Sequence, residues 1–198
     1  MKNNILKRES LLYGGGHILT RLITFLLLPI FTNILTPFEY GIISLVYTFI
    51  GFWVVILHFG MDAALLKHYK SANTLEKKQF LTNMYVPLLI INSGFFVFCF
   101  LLKDYLAFYL LGVNDPFMFI MVILILFFDV LWAMPMVMLR VDNKPSQFIF
   151  CNLINVMSNI FFICLFVIVY DMGVWGVVLS ALVSSGLLFI VTLFPIIQ

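Results

Sequence analysis

The sequence predicts an all-α polytopic membrane protein built as a bundle of six transmembrane helices. Three observations carry that prediction. Hydrophobic residues make up 64% of the chain and charged residues only 10%, where soluble domains hold about a quarter charged. Apolar runs recur that are each long enough to cross a hydrocarbon core of about 30 Å at a rise of about 1.5 Å per residue. Runs such as FIMVILILFF and FFICLFVIVY are apolar on every side, whereas the strands of a membrane barrel alternate apolar and polar over about 10 residues. The expected spans are 11–34, 40–66, 81–102, 117–139, 147–169 and 174–195, read as a single six-helix unit over 1–198.

The N-terminal run holds Lys2, Lys7 and Arg8 and resembles the positive region of a signal peptide. The apolar run behind it is too long, lacks a small-residue cleavage pattern and is followed by further spans, so it reads as a retained first helix. That helix, Leu11 to Ile34, carries Arg21 almost at its middle. An arginine facing lipid there costs at least about 2.5 kcal/mol, which directs Arg21 toward other helices or a wet cavity. Gly14, His17, Arg21 and Thr24 recur at spacings of three and four and share its face. Pro29 removes a backbone bond just beyond and bends the helix.

The first loop reads NILTPFEYG. Thr36 is placed to cap the second helix, Pro37 to start it, and Glu39 to complete a capping box at its third position. In that second helix Ser44, Thr48, Gly51, Val55, His58 and Asp62 form a stripe of small and polar residues. Such stripes serve helix packing as well as binding, because small residues let backbones approach. His17 and His58 have the same two readings, packing residue or proton carrier, and Asp62 lies near the helix end, where an interfacial role serves equally.

The third span carries the first of three cysteines, Cys99, Cys151 and Cys164. They sit singly in apolar runs with neither disulfide nor metal spacing and are read as packing residues. The fourth span holds Asp129 thirteen residues in, followed by Pro135. A carboxylate near the midplane needs a partner or a proton, so Asp129 is either the counter-charge of Arg21 or an ion-coupling group, with His58 as a second candidate for coupling. In the fifth span Asn152, Asn155 and Asn159 share a face, suited to sugar hydroxyls or to bridging helices. Gly176, Ser180 and Ser184 in the sixth recur at steps of four and read as close helix packing.

Basic residues fix the expected orientation. Lys2, Lys7 and Arg8, then Lys67, Lys70, Lys77 and Lys78, then Arg140 and Lys144 all fall in loops on one side, against Lys103 alone on the other. Both termini are therefore expected in the cytoplasm. The net charge of +2 is too small for nucleic-acid binding. Gly14-Gly15-Gly16 lacks the preceding strand of a phosphate-cradling loop, and no Ser/His/Asp set is present, so neither an enzyme nor a cofactor is expected.

Four segments resemble the N-terminal half of polysaccharide flippases of the multidrug/oligosaccharidyl-lipid/polysaccharide exporter superfamily. They are RLITFLLLPIFTNILTPFEYGIISLV (21–46), HFGMDAALLKHY (58–69), LRVDNKPSQF (139–148) and MGVWGVVLSALVSS (172–185). The resemblance implies a bacterial inner-membrane transporter that moves an undecaprenyl-diphosphate-linked oligosaccharide by alternating access between two bundles, driven by H+ or Na+. On that reading Arg21 meets the diphosphate with its fork of donors, and His17, Thr24, Asp62 and Asn155 are cavity candidates. Asp129 and His58 are the ion-coupling candidates, and membrane lipids are the surroundings. One bundle is present in the 198 residues, so a C-terminal half or a second copy is expected as partner. A multidrug exporter of the same superfamily would favour acidic cavity residues over Arg21, and a non-transporting scaffold would leave Arg21 and Asp129 without a role.

Overall fold

The computed structural model describes residues 33–61, 65 and 74–197. Every element among them is helical: α1 (Pro37–Leu57), α2 (Thr74–Leu101), α3 (Lys103–Leu111), α4 (Pro116–Val141), α5 (Pro145–Ile163) running on as a π-helical stretch (Cys164–Val169), and α6 (Gly173–Ile197). Five are long and apolar enough to cross a membrane, with α5 and its π stretch counting as one. The expected first span, with His17, Arg21 and Thr24, lies outside the described residues apart from its last two positions, and so does Asp62.

The helix ends follow local chemistry. Thr36 and Glu39 form the expected capping box: Glu39 N–H donates to Thr36 Oγ1 at 3.3 Å, and Thr36 N–H to Glu39 Oε2 at 2.8 Å. Asp115 caps α4 by accepting from Met118 N–H at 3.2 Å, with Pro116 at the first position, where no amide is needed. α4 closes with Asn143 left-handed at φ 54. Lys144 N–H then reaches back to Leu139 O at 2.9 Å and Asn143 N–H to Arg140 O at 3.2 Å, the paired bonds of a Schellman end.

Two boundaries differ from the sequence reading. The second span was expected to run unbroken from 40 to 66, but α1 stops at Leu57 because Phe59 and Gly60 take positive φ, 47 and 66; the glycine makes the break inexpensive. The stretch after the third span was expected as a loop, but Lys103–Leu111 forms α3, closed by Gly112 at φ 64. Ala107 and Leu111 are buried beneath it, while Tyr105, Phe108 and Tyr109 are exposed. Lys103 Nζ lies 5.3 Å over the Phe100 ring. Exposed tyrosines beside a basic residue fit the headgroup level of a bilayer.

α4 and α6 form the centre. Half of the apolar stretch of each is buried, against 11% for α5 with its π stretch. Lipid tails compete on equal terms with leucine, so contact between spans is decided by packing and by hydrogen bonds. Gly176 shows the first. A Cβ there would stand 3.0 Å from the Phe166 carbonyl carbon and from Val167 Cγ2, so its absence lets α6 lie against the π stretch. Ser180 is fully buried beside it and bonds its own helix at Gly176 O. Both behave as the packing stripe predicts.

Hydrogen bonds join α2 to α4. Pro135 has no N–H and leaves Leu131 O without its helical donor. Tyr85 Oη, from α2, donates to that carbonyl at 2.8 Å. One turn earlier Asn92 Nδ2 donates to Phe127 O at 3.0 Å.

Candidate functional site

The polar groups of the spans converge on Asp129. Its carboxylate stands near the middle of α4, where burial without a partner is costly. Two donors meet its Oδ1: Ser185 Oγ from α6 at 2.7 Å, and Trp132 Nε1, one turn further along α4, at 2.9 Å. Among the described residues Oδ2 accepts no hydrogen bond.

Asp129 opens on a cavity of about 280 Å³ between α1, α4, α5 and α6, lined also by Tyr47, Trp132, Asn155, Asn159, Ser184 and Ser185. Asn159 Nδ2 donates to Ser184 Oγ at 3.1 Å, and Ser184 Oγ donates on to Ala181 O at 3.0 Å. The arrangement can hold a proton or a small cation at the carboxylate and present amide and hydroxyl groups to a polar ligand. Among the described residues no group of three or more His, Cys, Asp or Glu is disposed to hold a metal.

A second cavity, of about 390 Å³, lies toward the ends of α1 and α4 and is lined by His58, Gly60, Trp132, Ala133, Met136 and Arg140, with three valines. Trp132 borders both cavities. The Arg140 guanidinium lies 4.5 Å over the Phe148 ring.

This chain belongs to the polysaccharide biosynthesis protein family. The family model described as "Polysaccharide biosynthesis protein" matches residues 6–197, nearly the whole chain, in keeping with the resemblance to polysaccharide flippases. No curated protein and no solved structure matches. Membership makes the chain a multi-pass membrane protein of polysaccharide biosynthesis.

Against that family background the candidate residues sort clearly. Asp129 and Asn155 share the central cavity, and His58 stands in the adjoining one. His17, Arg21, Thr24 and Asp62 lie outside the described residues, and with Arg21 goes the expected Arg21–Asp129 pair. The stripe on α1 does not line the Asp129 cavity: Ser44, Thr48, Gly51 and Val55 are exposed, and the first two hydroxyls bond back to Tyr40 O and Ser44 O. Tyr47 and Ile50, from a neighbouring face, line the cavity instead. Asn152 departs from the asparagine face by donating to its own helix at Phe148 O.

Tyr47, Trp132 and Ser185 carry no site reading in the sequence, whereas Asn159, read as binding or bridging, bridges α5 to α6 through Ser184. Ser184, read as packing, is buried as packing requires, yet it also accepts the Asn159 amide and lines the cavity. A signal existed for Trp132, an indole donor three residues after a midspan carboxylate on the same helical face. None existed for Ser185, which lies 56 residues from Asp129 in the chain.

Proposed function

We propose that this protein forms one bundle of a transporter that flips an undecaprenyl-diphosphate-linked oligosaccharide across the bacterial cytoplasmic membrane by alternating access, with H+ or Na+ exchanged at Asp129. The observation that carries the reading is the Asp129 carboxylate itself: midspan, its Oδ1 accepting from Ser185 of α6 and Trp132 of α4, on a cavity that amide and hydroxyl groups also line. Family membership supports a role in polysaccharide biosynthesis, and the lipid-linked substrate is part of the proposal. Arg21 is the proposed ligand of the diphosphate, with His17, Thr24 and Asp62 beside it. Asn155 and Asn159 are suited to sugar hydroxyls or to the ion's remaining shell. Both termini are cytoplasmic in this reading, and a second bundle, as further chain or second copy, completes the cavity.

The test is Asp129→Asn in the complete transporter. The amide oxygen still accepts from Ser185 and Trp132, so membrane abundance should hold, while the group can no longer change charge. Flipping of lipid-linked oligosaccharide in proteoliposomes should lose its dependence on the imposed H+ or Na+ gradient. Gradient-driven flipping at the wild-type rate would overturn the proposal.

A further inference from the structure

We infer that His58 is the station by which protons pass between Asp129 and the Arg140 end of the bundle, its Nε2 exchanging protons with water in the second cavity. The destination of the proton rests on the ion-coupling reading above; the state of the His58 ring does not.

The tautomer follows from one contact. His58 Nδ1 lies 2.7 Å from Val54 O, and a carbonyl oxygen only accepts, so Nδ1 carries the hydrogen. In the neutral ring Nε2 is then a bare lone pair. His58 is only 8% exposed, and Nε2 is the one buried side-chain nitrogen or oxygen among the described residues without a hydrogen-bond partner. Leaving such an acceptor empty in a buried site is costly, a cost that a water or a proton in the cavity removes. At about 390 Å³ the cavity has room for several waters, each needing about 30 Å³.

The groups facing His58 are few. On its own helix Val54, Val55 and Gly60 share the cavity, and from α4 come Trp132, Ala133, Met136, Val137 and Arg140. Among the described residues of that lining Arg140 is the other titratable or charged one, and Asp129 lies beyond Trp132, which borders both cavities. A negative Asp129 favours a positive charge on the His58 ring, and a neutral Asp129 does not. The transfer balances. Water gives a proton to Nε2, forming an imidazolium with hydrogens on both nitrogens; Nε2 returns it to water, which passes it to the Asp129 carboxylate, leaving a carboxylic acid and a neutral ring.

Trp132 borders both cavities but is not a carrier, because indole N–H only donates. Its bond to Asp129 weakens when the carboxylate is neutralised, roughly halving a charge-assisted interaction.

The experiment has two arms on the complete protein in nanodiscs. In the first, wild-type protein carrying 15N-labelled histidine is followed by NMR, the rings assigned through His17→Gln and His68→Gln. The neutral His58 ring should be the Nδ1–H tautomer and gain its second ring hydrogen at Nε2 when the medium is acidified. An Nε2–H tautomer, or a ring that takes no second hydrogen, overturns the inference. In the second, His58→Asn keeps a donor for Val54 O, as Asn152 already supplies one four residues back to Phe148 O. Gradient-driven flipping should slow about tenfold or more, while exchange without a gradient persists. Unchanged gradient-driven flipping in His58→Asn, with Asp129→Asn uncoupled, overturns the His58 role and spares Asp129. If Asp129→Asn stays coupled instead, the functional reading fails, whatever the histidine spectra show.

Discussion

Replacing Tyr85 by phenylalanine removes one hydroxyl from α2 and should injure α4. The hydroxyl is the donor for Leu131 O, which Pro135 leaves unserved at 2.8 Å from Tyr85 Oη. An orphaned buried carbonyl costs about 1–3 kcal/mol in water-soluble proteins, but hydrogen bonds between membrane helices average about 0.6 and reach about 1.7 kcal/mol. Tyr85 is only partly buried, so we expect about 1 kcal/mol, roughly a fivefold rise in the unfolded-to-folded ratio. Pro135→Ala restores an amide at position 135 that can serve Leu131 O from within α4. In that background Tyr85→Phe should cost well under half as much. The assay is a double-mutant cycle on the purified protein, with reversible unfolding in mixed micelles for the four variants. Equal costs of Tyr85→Phe with and without Pro135, to within about 0.3 kcal/mol, would refute the reasoning, since independent sites add to about that precision.

Two further outcomes follow from packing and charge. Gly176→Leu should lower membrane abundance sharply, at a cost of about 1–3 kcal/mol or more, because even a Cβ meets the Phe166 backbone at 3.0 Å; Gly176→Ala should be milder, and thermal unfolding of detergent-solubilised protein orders the two. Single cysteines at Asn114 and Asn143, both exposed, in a background lacking Cys99, Cys151 and Cys164 should be labelled from opposite faces of the membrane, Asn143 from the cytoplasm; labelling of both from outside in intact cells would overturn the orientation.

Apolar runs longer than the hydrocarbon core announce themselves without any tertiary knowledge, and the described spans are of that kind. Local signals did as well: Thr36 and Glu39 form their capping box from four consecutive residues. Asp129 is legible because a carboxylate near the midplane needs a partner or a proton. What stayed hidden depends on how helices rotate about their axes. The stripe of Ser44, Thr48, Gly51, Val55, His58 and Asp62 has the right period, yet none of its described members lines the Asp129 cavity: Ser44 and Thr48 satisfy their hydroxyls on their own helix at 2.9 Å and 2.7 Å, and Val55 and His58 line the second cavity. Periodicity gives a face, and only packing says what it meets. The early end of α1 was written in Phe59-Gly60, a glycine stop that the surrounding hydrophobicity outweighed.

The π-helical stretch Cys164–Val169 bears on how the gene can vary in length. Each π turn holds more chain than an α turn, seen here in Tyr170 N–H reaching back five residues to Leu165 O at 3.1 Å. Removing a residue from an ordinary α-helical span turns everything beyond it by about 100° and carries its faces away from their neighbours. Between Cys164 and Val169 a deletion has slack to draw on: the turn tightens to α geometry while Asn155 and Asn159 on one side, and the start of α6 on the other, keep their facing. A single-residue deletion should therefore lower membrane abundance less here than one a turn or two earlier.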